Sequence, residues 1–154
     1  MTAPKQESPN SKPSPEMERT SARSKRGPST ELVRRVAVVL LLLVTAFQSA
    51  LAAGAPWGEA AWGGANAGTL PTGFRVASVA SAAINGGLAA LVGGYLGAGR
   101  WVHRSIRGMS VFFGLGVVMN AASPSVIEKL IWTPVTLALV VLLWRRANAL
   151  KQQG

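Results

Sequence analysis

The sequence predicts an all-α protein, a four-transmembrane-helix bundle with a disordered N-terminal tail, and three observations predict it. Charge is too scarce for a water-soluble domain: 22 of 154 residues are charged, and only seven of these lie within residues 36–144, whereas soluble chains are typically about a quarter charged. The same stretch contains four long apolar runs. Lys and Arg crowd alternate ends of those runs, as they do when a chain crosses a membrane repeatedly.

Residues 1–30 hold five prolines, many Ser and Thr, mixed charges and no apolar period. Nothing there offsets the entropy of ordering, so a disordered basic tail is expected. Either Met1 or Met17 suits as its start. The membrane domain spans about residues 31–147, with a short polar tail over 148–154. Its first helix is placed at about 34–53, because residues 36–53 are 18 positions without a charge, about 27 Å as a helix and enough to span. A rival reading exists here. Arg34-Arg35, the apolar run and Ala50-Leu51-Ala52 mimic a secretory signal cleaved before Ala53. Small residues near a helix end also serve packing, and the uncleaved helix is preferred.

The second helix is placed at about 75–98, from 23 uncharged residues at 76–98. The third, at about 105–122, has a short uncharged run and borrows Ser105 to Arg107. The fourth, at about 126–145, becomes long enough once Val126 to Lys129 are included. All four must be helical, since an unpaired backbone group in hydrocarbon costs several kcal/mol.

Twelve Lys and Arg fall near the ends that share a side with both termini, against Arg75 and Lys129 on the other side. By the positive-inside rule both termini are cytoplasmic. Arg outnumbers Lys eleven to five beside 24 alanines, a bias of GC-rich bacterial genomes, so the expected location is a bacterial cytoplasmic membrane, crossed several times. Trp57, Trp62 and Trp132 then fall at the outer interface, and Trp101 and Trp144 at the inner one. Topology also accounts for the net charge of +10 without nucleic acid as a partner.

Inventory excludes much chemistry. There is no cysteine and no Asp, and the single histidine, His103, lies in the basic inner loop. Thiolate catalysis, Cys-based metal sites and a Ser-His-Asp relay are ruled out. The expectation is a protein that is not an enzyme and carries no cofactor or metal.

The second helix has the sharpest pattern. Ser78, Ala82, Gly86, Ala89, Gly93 and Gly97 recur at spacings of 4, 4, 3, 4 and 4, one small-residue face that lets a neighbouring helix approach closely. Leu at Gly86 or Gly93 is expected to disrupt that packing, and Leu at Val92 to be accommodated. Ser78, Ser81 and Asn85 share one sector of the wheel. Gln48, Glu59, Arg75, Asn120 and Glu128 all map to the outer side and form the candidate binding cluster. Gln48 shares its face with Thr45 and Ala52. Glu128 has a local explanation, because Ser125-Val126-Ile127-Glu128 fits a capping box, with Ser123-Pro124 as an alternative cap. It has a rival one in an ion pair with Arg75 across the mouth of the bundle. Pro134 leaves the Leu130 carbonyl without its helical donor and predicts a kink, with Thr133 as one group able to satisfy that carbonyl.

Gln48, Gly54-Ala55-Pro56-Trp57-Gly58, Trp62-Gly63-Gly64, Leu70-Pro71, Arg75 and Ser78 form a string. With Asn120, Ser123, Ser125, Glu128 and Thr133-Pro134, it resembles a group of uncharacterised small four-helix bacterial integral membrane proteins. The resemblance covers about residues 45–140, implies four helices and an uncleaved first helix, and carries no activity or site residue. Membrane lipids are expected partners, with a homodimer or a membrane partner protein as further ones. Two functions compete. One is binding of a lipid headgroup, small molecule or partner protein at the outer cluster. The other is a small-molecule transporter subunit acting as a dimer, although small four-helix exporters use an acidic group within the first helix and this helix offers only Gln48.

Overall fold

The computed structural model describes Ser14 and residues 28–97 and 99–152. The tail expected over residues 1–30 therefore lies outside the described residues, apart from Ser14 and residues 28–30. Four α-helices follow: α1 (Pro28–Ala53), α2 (Thr72–Gly93), α3 (Arg100–Ala122) and α4 (Val126–Lys151). Each is long and apolar enough to cross a membrane, and at 1.5 Å per residue they are about 33–39 Å long. The described chain is all-helical, as expected.

The boundaries differ from the sequence reading, each for a local reason. Helix α1 begins six residues early, at Pro28, since proline is tolerated in a first turn whose N–H groups lack partners. Glu31 in that turn suits the helix dipole and holds Arg34 at 2.6 Å and Arg35 at 2.8 Å. Helix α2 starts at Thr72, directly after Pro71, and stops at Gly93 rather than near 98. Gly94 takes a left-handed conformation, φ +88°, while its N–H bonds the Leu91 carbonyl and that of Tyr95 the Ala90 carbonyl, the paired bonds of a Schellman stop. Helix α3 starts at Arg100, recruiting charged residues that reach the interface with their head groups. Helix α4 runs on to Lys151, so that Ala147 joins the core, fully buried.

The chain folds as two tight hairpins, α1 on α2 and α3 on α4, joined face to face through α1 and α4, while α2 and α3 barely meet. The main core lies toward the side of the termini, where Ala37, Leu41, Leu88, Ala89, Val92, Val102, Ile106, Leu139 and Leu143 from all four helices are buried together. Lipid contacts the outward residues, among them Val76, Val79 and Ile84 on α2 and Val111, Phe112 and Leu115 on α3. Arg107 sits 4.0 Å above the Trp144 ring and donates to the Asn148 side chain at 3.4 Å, tying α3 to α4 at that end. His103, placed by the sequence in the basic inner loop, lies within α3 and is half-buried, with its Nε2 shut off and unpartnered.

The small-residue face of α2 packs on α1, but not along its full expected length. Ser78 and Ala89 are buried, and a methyl group at Gly86 would lie 3.6 Å from the Thr45 methyl. Gly93 instead gives room to the Tyr95 ring, 2.8 Å from where its Cβ would be, and Gly97 lies past the helix end. Val92 is fully buried, so a Leu there overpacks the core and is not the accommodated change the sequence suggested. The open position is Gly87, where a Cβ meets nothing within 4 Å. Pro134 lies inside an unbroken α4. Thr133 does not satisfy the freed Leu130 carbonyl, since its hydroxyl is buried without a partner.

Candidate functional site

The segment between α1 and α2 is a folded cap rather than a plain loop. Leu51, Ala61 and Leu70 bury one another, with Phe47 packed against them, and each fully buried leucine contributes about 2 kcal/mol. Two single turns of 3₁₀ helix, Gly58–Ala60 and Trp62–Gly64, form its middle. The Gly58 N–H donates to the Gly68 carbonyl at 2.9 Å, closing the loop on itself. Arg75 at the head of α2 donates through Nε to the Ala52 carbonyl at 3.0 Å, one of the last α1 carbonyls, which have no helical donor of their own.

Three side chains pin this cap to the helices. Trp62 Nε1 donates to Ser78 Oγ at 3.1 Å, Trp132 Nε1 to the Ala60 carbonyl at 2.6 Å, and Ser125 Oγ to the Glu59 carbonyl at 2.6 Å. Phe47 lies against Trp132, ring centroids 4.6 Å apart, and stacks with Trp57 at 6.1 Å. Trp62 and Trp132 are thus structural pins and not only interface anchors. A buried indole N–H needs an acceptor, and that need was the available sequence signal. The cap approaches α4 so closely that a Cβ at Gly64 would fall 2.3 Å from Ser125 Cβ.

The predicted cluster is only partly assembled. Glu59 is exposed and contributes its backbone carbonyl. Arg75 and Glu128 do not pair: Arg75 serves α1, and the buried Glu128 accepts from the Ser123 hydroxyl at 2.5 Å. The reason is topological, because α2 borders α1 and not α4. Half of the capping box forms, with Ser125 Oγ accepting from the Glu128 N–H at 3.2 Å. The other half is taken over by Ser123, whose Oγ accepts from the Ser125 N–H at 3.2 Å while its proton goes to Glu128. Asn120 donates to Thr136 Oγ1 at 3.4 Å, and Thr136 donates back to the Trp132 carbonyl at 2.6 Å.

Below the cap, the bundle interior is polar. Gln48 continues the buried stripe of Ala37, Leu41, Val44 and Leu51 along α1. Its Oε1 is buried and has no hydrogen-bond partner, and the same holds for Asn85 Oδ1 and Thr133 Oγ1. Helix contacts set their levels. Gly86 opposite Thr45 puts Asn85 near residue 46 of α1, and Phe47 against Trp132 puts Thr133 there too. Gln48 is therefore within about one turn of both. The Asn85 orientation is held by its own turn, since Nδ2 donates to the Ser81 carbonyl at 2.8 Å. Three helices thus carry unpartnered oxygens at one depth, two amide acceptors and one hydroxyl. Sequence reasoning selected Gln48 and Asn85 separately and missed Thr133. Among the described residues no group of three or more His, Cys, Asp or Glu side chains is placed to hold a metal ion.

Comparison with protein-family models, with curated proteins and with solved structures finds no match for this chain.

Proposed function

We propose that this integral membrane protein is a non-enzymatic binding protein, and that its polar interior beneath the cap holds a small molecule presenting N–H or O–H donors. The observation that carries the reading is the set of three buried, unpartnered oxygens on α1, α2 and α4: the amide acceptors Gln48 Oε1 and Asn85 Oδ1, and the Thr133 hydroxyl, which accepts or donates. A buried acceptor left unmade costs about 1–3 kcal/mol, and a ligand that donates to all three relieves that cost. The selectivity follows from the two amide oxygens, which can only accept and so favour ammonium, amide or hydroxyl groups over anions.

The test compares purified wild-type protein with Asn85→Leu in detergent, using ethanolamine and glycerol as probes. Thermal stability of the wild type is expected to rise with at least one probe, by up to about 2.7 kcal/mol at a hundredfold excess over Kd. Asn85→Leu is expected to raise the ligand-free Tm, because it removes an unpaired polar group, and to abolish the probe response. No probe response in the wild type, together with a lower Tm for Asn85→Leu, would show that Asn85 is a packing residue and would retire the reading.

We further propose that the cap faces outward from a bacterial cytoplasmic membrane and that both termini are cytoplasmic. The twelve-to-two distribution of Lys and Arg supports this. Because the chain has no cysteine, Asn66→Cys in the cap and Gln152→Cys at the far end report separately. A thiol reagent that does not cross membranes is expected to label Asn66→Cys in intact cells and to leave Gln152→Cys unlabelled. The reverse pattern would invert the orientation.

A further inference from the structure

The opposite end of the bundle carries a cleft of about 690 Å³, within the size range of small-molecule sites. It opens where the start of α1, the turn after α2, the start of α3 and the end of α4 come together. Its lining is mixed, charged and apolar. Arg34 and Arg146 line it at the level where the apolar runs of α1 and α4 begin, and Leu91, Val102 and Leu150 line it as well. Arg34 is held in place: Nη2 and Nε bond Glu31 at 2.6 Å and 2.9 Å, and Nη1 donates to the Gly93 carbonyl at 3.0 Å.

We propose that this cleft binds the phosphate of an anionic phospholipid, with the glycerol and upper acyl chain against Leu91 and Val102, while Leu150, one turn beyond Arg146, lines the mouth. Among the described residues the lining carries two guanidinium groups and one carboxylate, Glu31, which is paired with Arg34 on the same helix, so that lining is net positive. Glu31 also pairs with Arg35, which draws part of its charge away from Arg34. Arg146 also interacts within the protein, and its guanidinium carries five N–H donors. Arginine forks match phosphate oxygens in pairs, and basic pockets between membrane helices suit lipid headgroups. A soluble phosphate would use the arginines and leave the apolar wall uncovered, whereas a lipid uses both. An anionic leaflet on either side of the membrane supplies this ligand. The site is independent of the polar interior beneath the cap.

The experiment measures lipid retained by the purified full chain, by native mass spectrometry after exchange into detergent with equal phosphatidylglycerol and phosphatidylcholine. Wild type is expected to keep one phosphatidylglycerol, preferred over phosphatidylcholine by about tenfold, equivalent to about 1.4 kcal/mol. Arg146→Gln is expected to lose the preference, and Leu150→Glu, which places an anion at the mouth of the cleft, to lose it as well. Arg107→Gln removes the same charge at a residue outside the cleft and is expected to retain the preference. Equal retention of the two lipids by wild type would overturn the proposal. So would an equal loss in Arg107→Gln, which would show general charge attraction, or displacement of the lipid by millimolar inorganic phosphate, which would show a soluble-anion site.

Discussion

Gly64→Ala is expected to lower the melting temperature of the detergent-solubilised protein far more than Gly63→Ala. Both glycines have left-handed backbones, φ +68° and +84°, and an alanine there costs about 1–2 kcal/mol in either case. Only Gly64 is crowded. Its Cβ would lie 2.3 Å from Ser125 Cβ, 2.9 Å from Ser125 Oγ and 3.0 Å from the Glu59 carbonyl, while a Cβ at Gly63 meets nothing within 4 Å. The cap must lift off α4, losing the Ser125 bond to Glu59 and straining that of Trp132 to Ala60. At about 1 kcal/mol for each hydrogen bond, the total loss is about 3–4 kcal/mol, against about 1–2 for the control. Equal melting temperatures for the two variants would mean that the cap is not seated on α4 as described.

The second large effect is at Glu128. Ser123→Ala removes the hydroxyl that donates to this 7%-exposed carboxylate, and hydrogen bonds to charged groups are worth about 1.5–3 kcal/mol. Glu128→Gln keeps the shape and discards the charge. A double-mutant cycle of these two changes is expected to show coupling of about 0.5–3 kcal/mol. The cycle of Arg75→Gln with Glu128→Gln is expected to be additive, since the two residues have separate partners. Additivity in the first cycle would remove the Ser123 bond to Glu128, and coupling in the second would restore the ion pair that the sequence alone suggested.

The difference between those cycles shows where sequence reading stops. Arg75 and Glu128 each border a helix start on the capped side, and opposite charges near lipid favour pairing. That inference treats the two helix ends as neighbours. In the structure α2 borders α1, so the nearest acceptor for Arg75 is a terminal carbonyl of α1, and the nearest donor for Glu128 is the hydroxyl five residues before it. The candidate site was legible to a similar degree. Gln48 and Asn85 stood out as amides within apolar runs, but nothing in the linear pattern showed that they share a level, or that Thr133 joins them.

Four helices, the gathering of basic residues on the side of the termini and the lack of cysteine chemistry can all be read from the linear chain. Those follow from composition and period: lipid excludes charge and forces backbone pairing within each segment. Packing between the elements sets the rest: α1 and α4 form the centre, Trp62, Trp132 and Ser125 fasten the cap, and Gly93 accommodates a tyrosine ring instead of a helix. Contacts between elements depend on rotation and depth along each helix. Many combinations of the two satisfy the same apolar pattern, and close packing selects one.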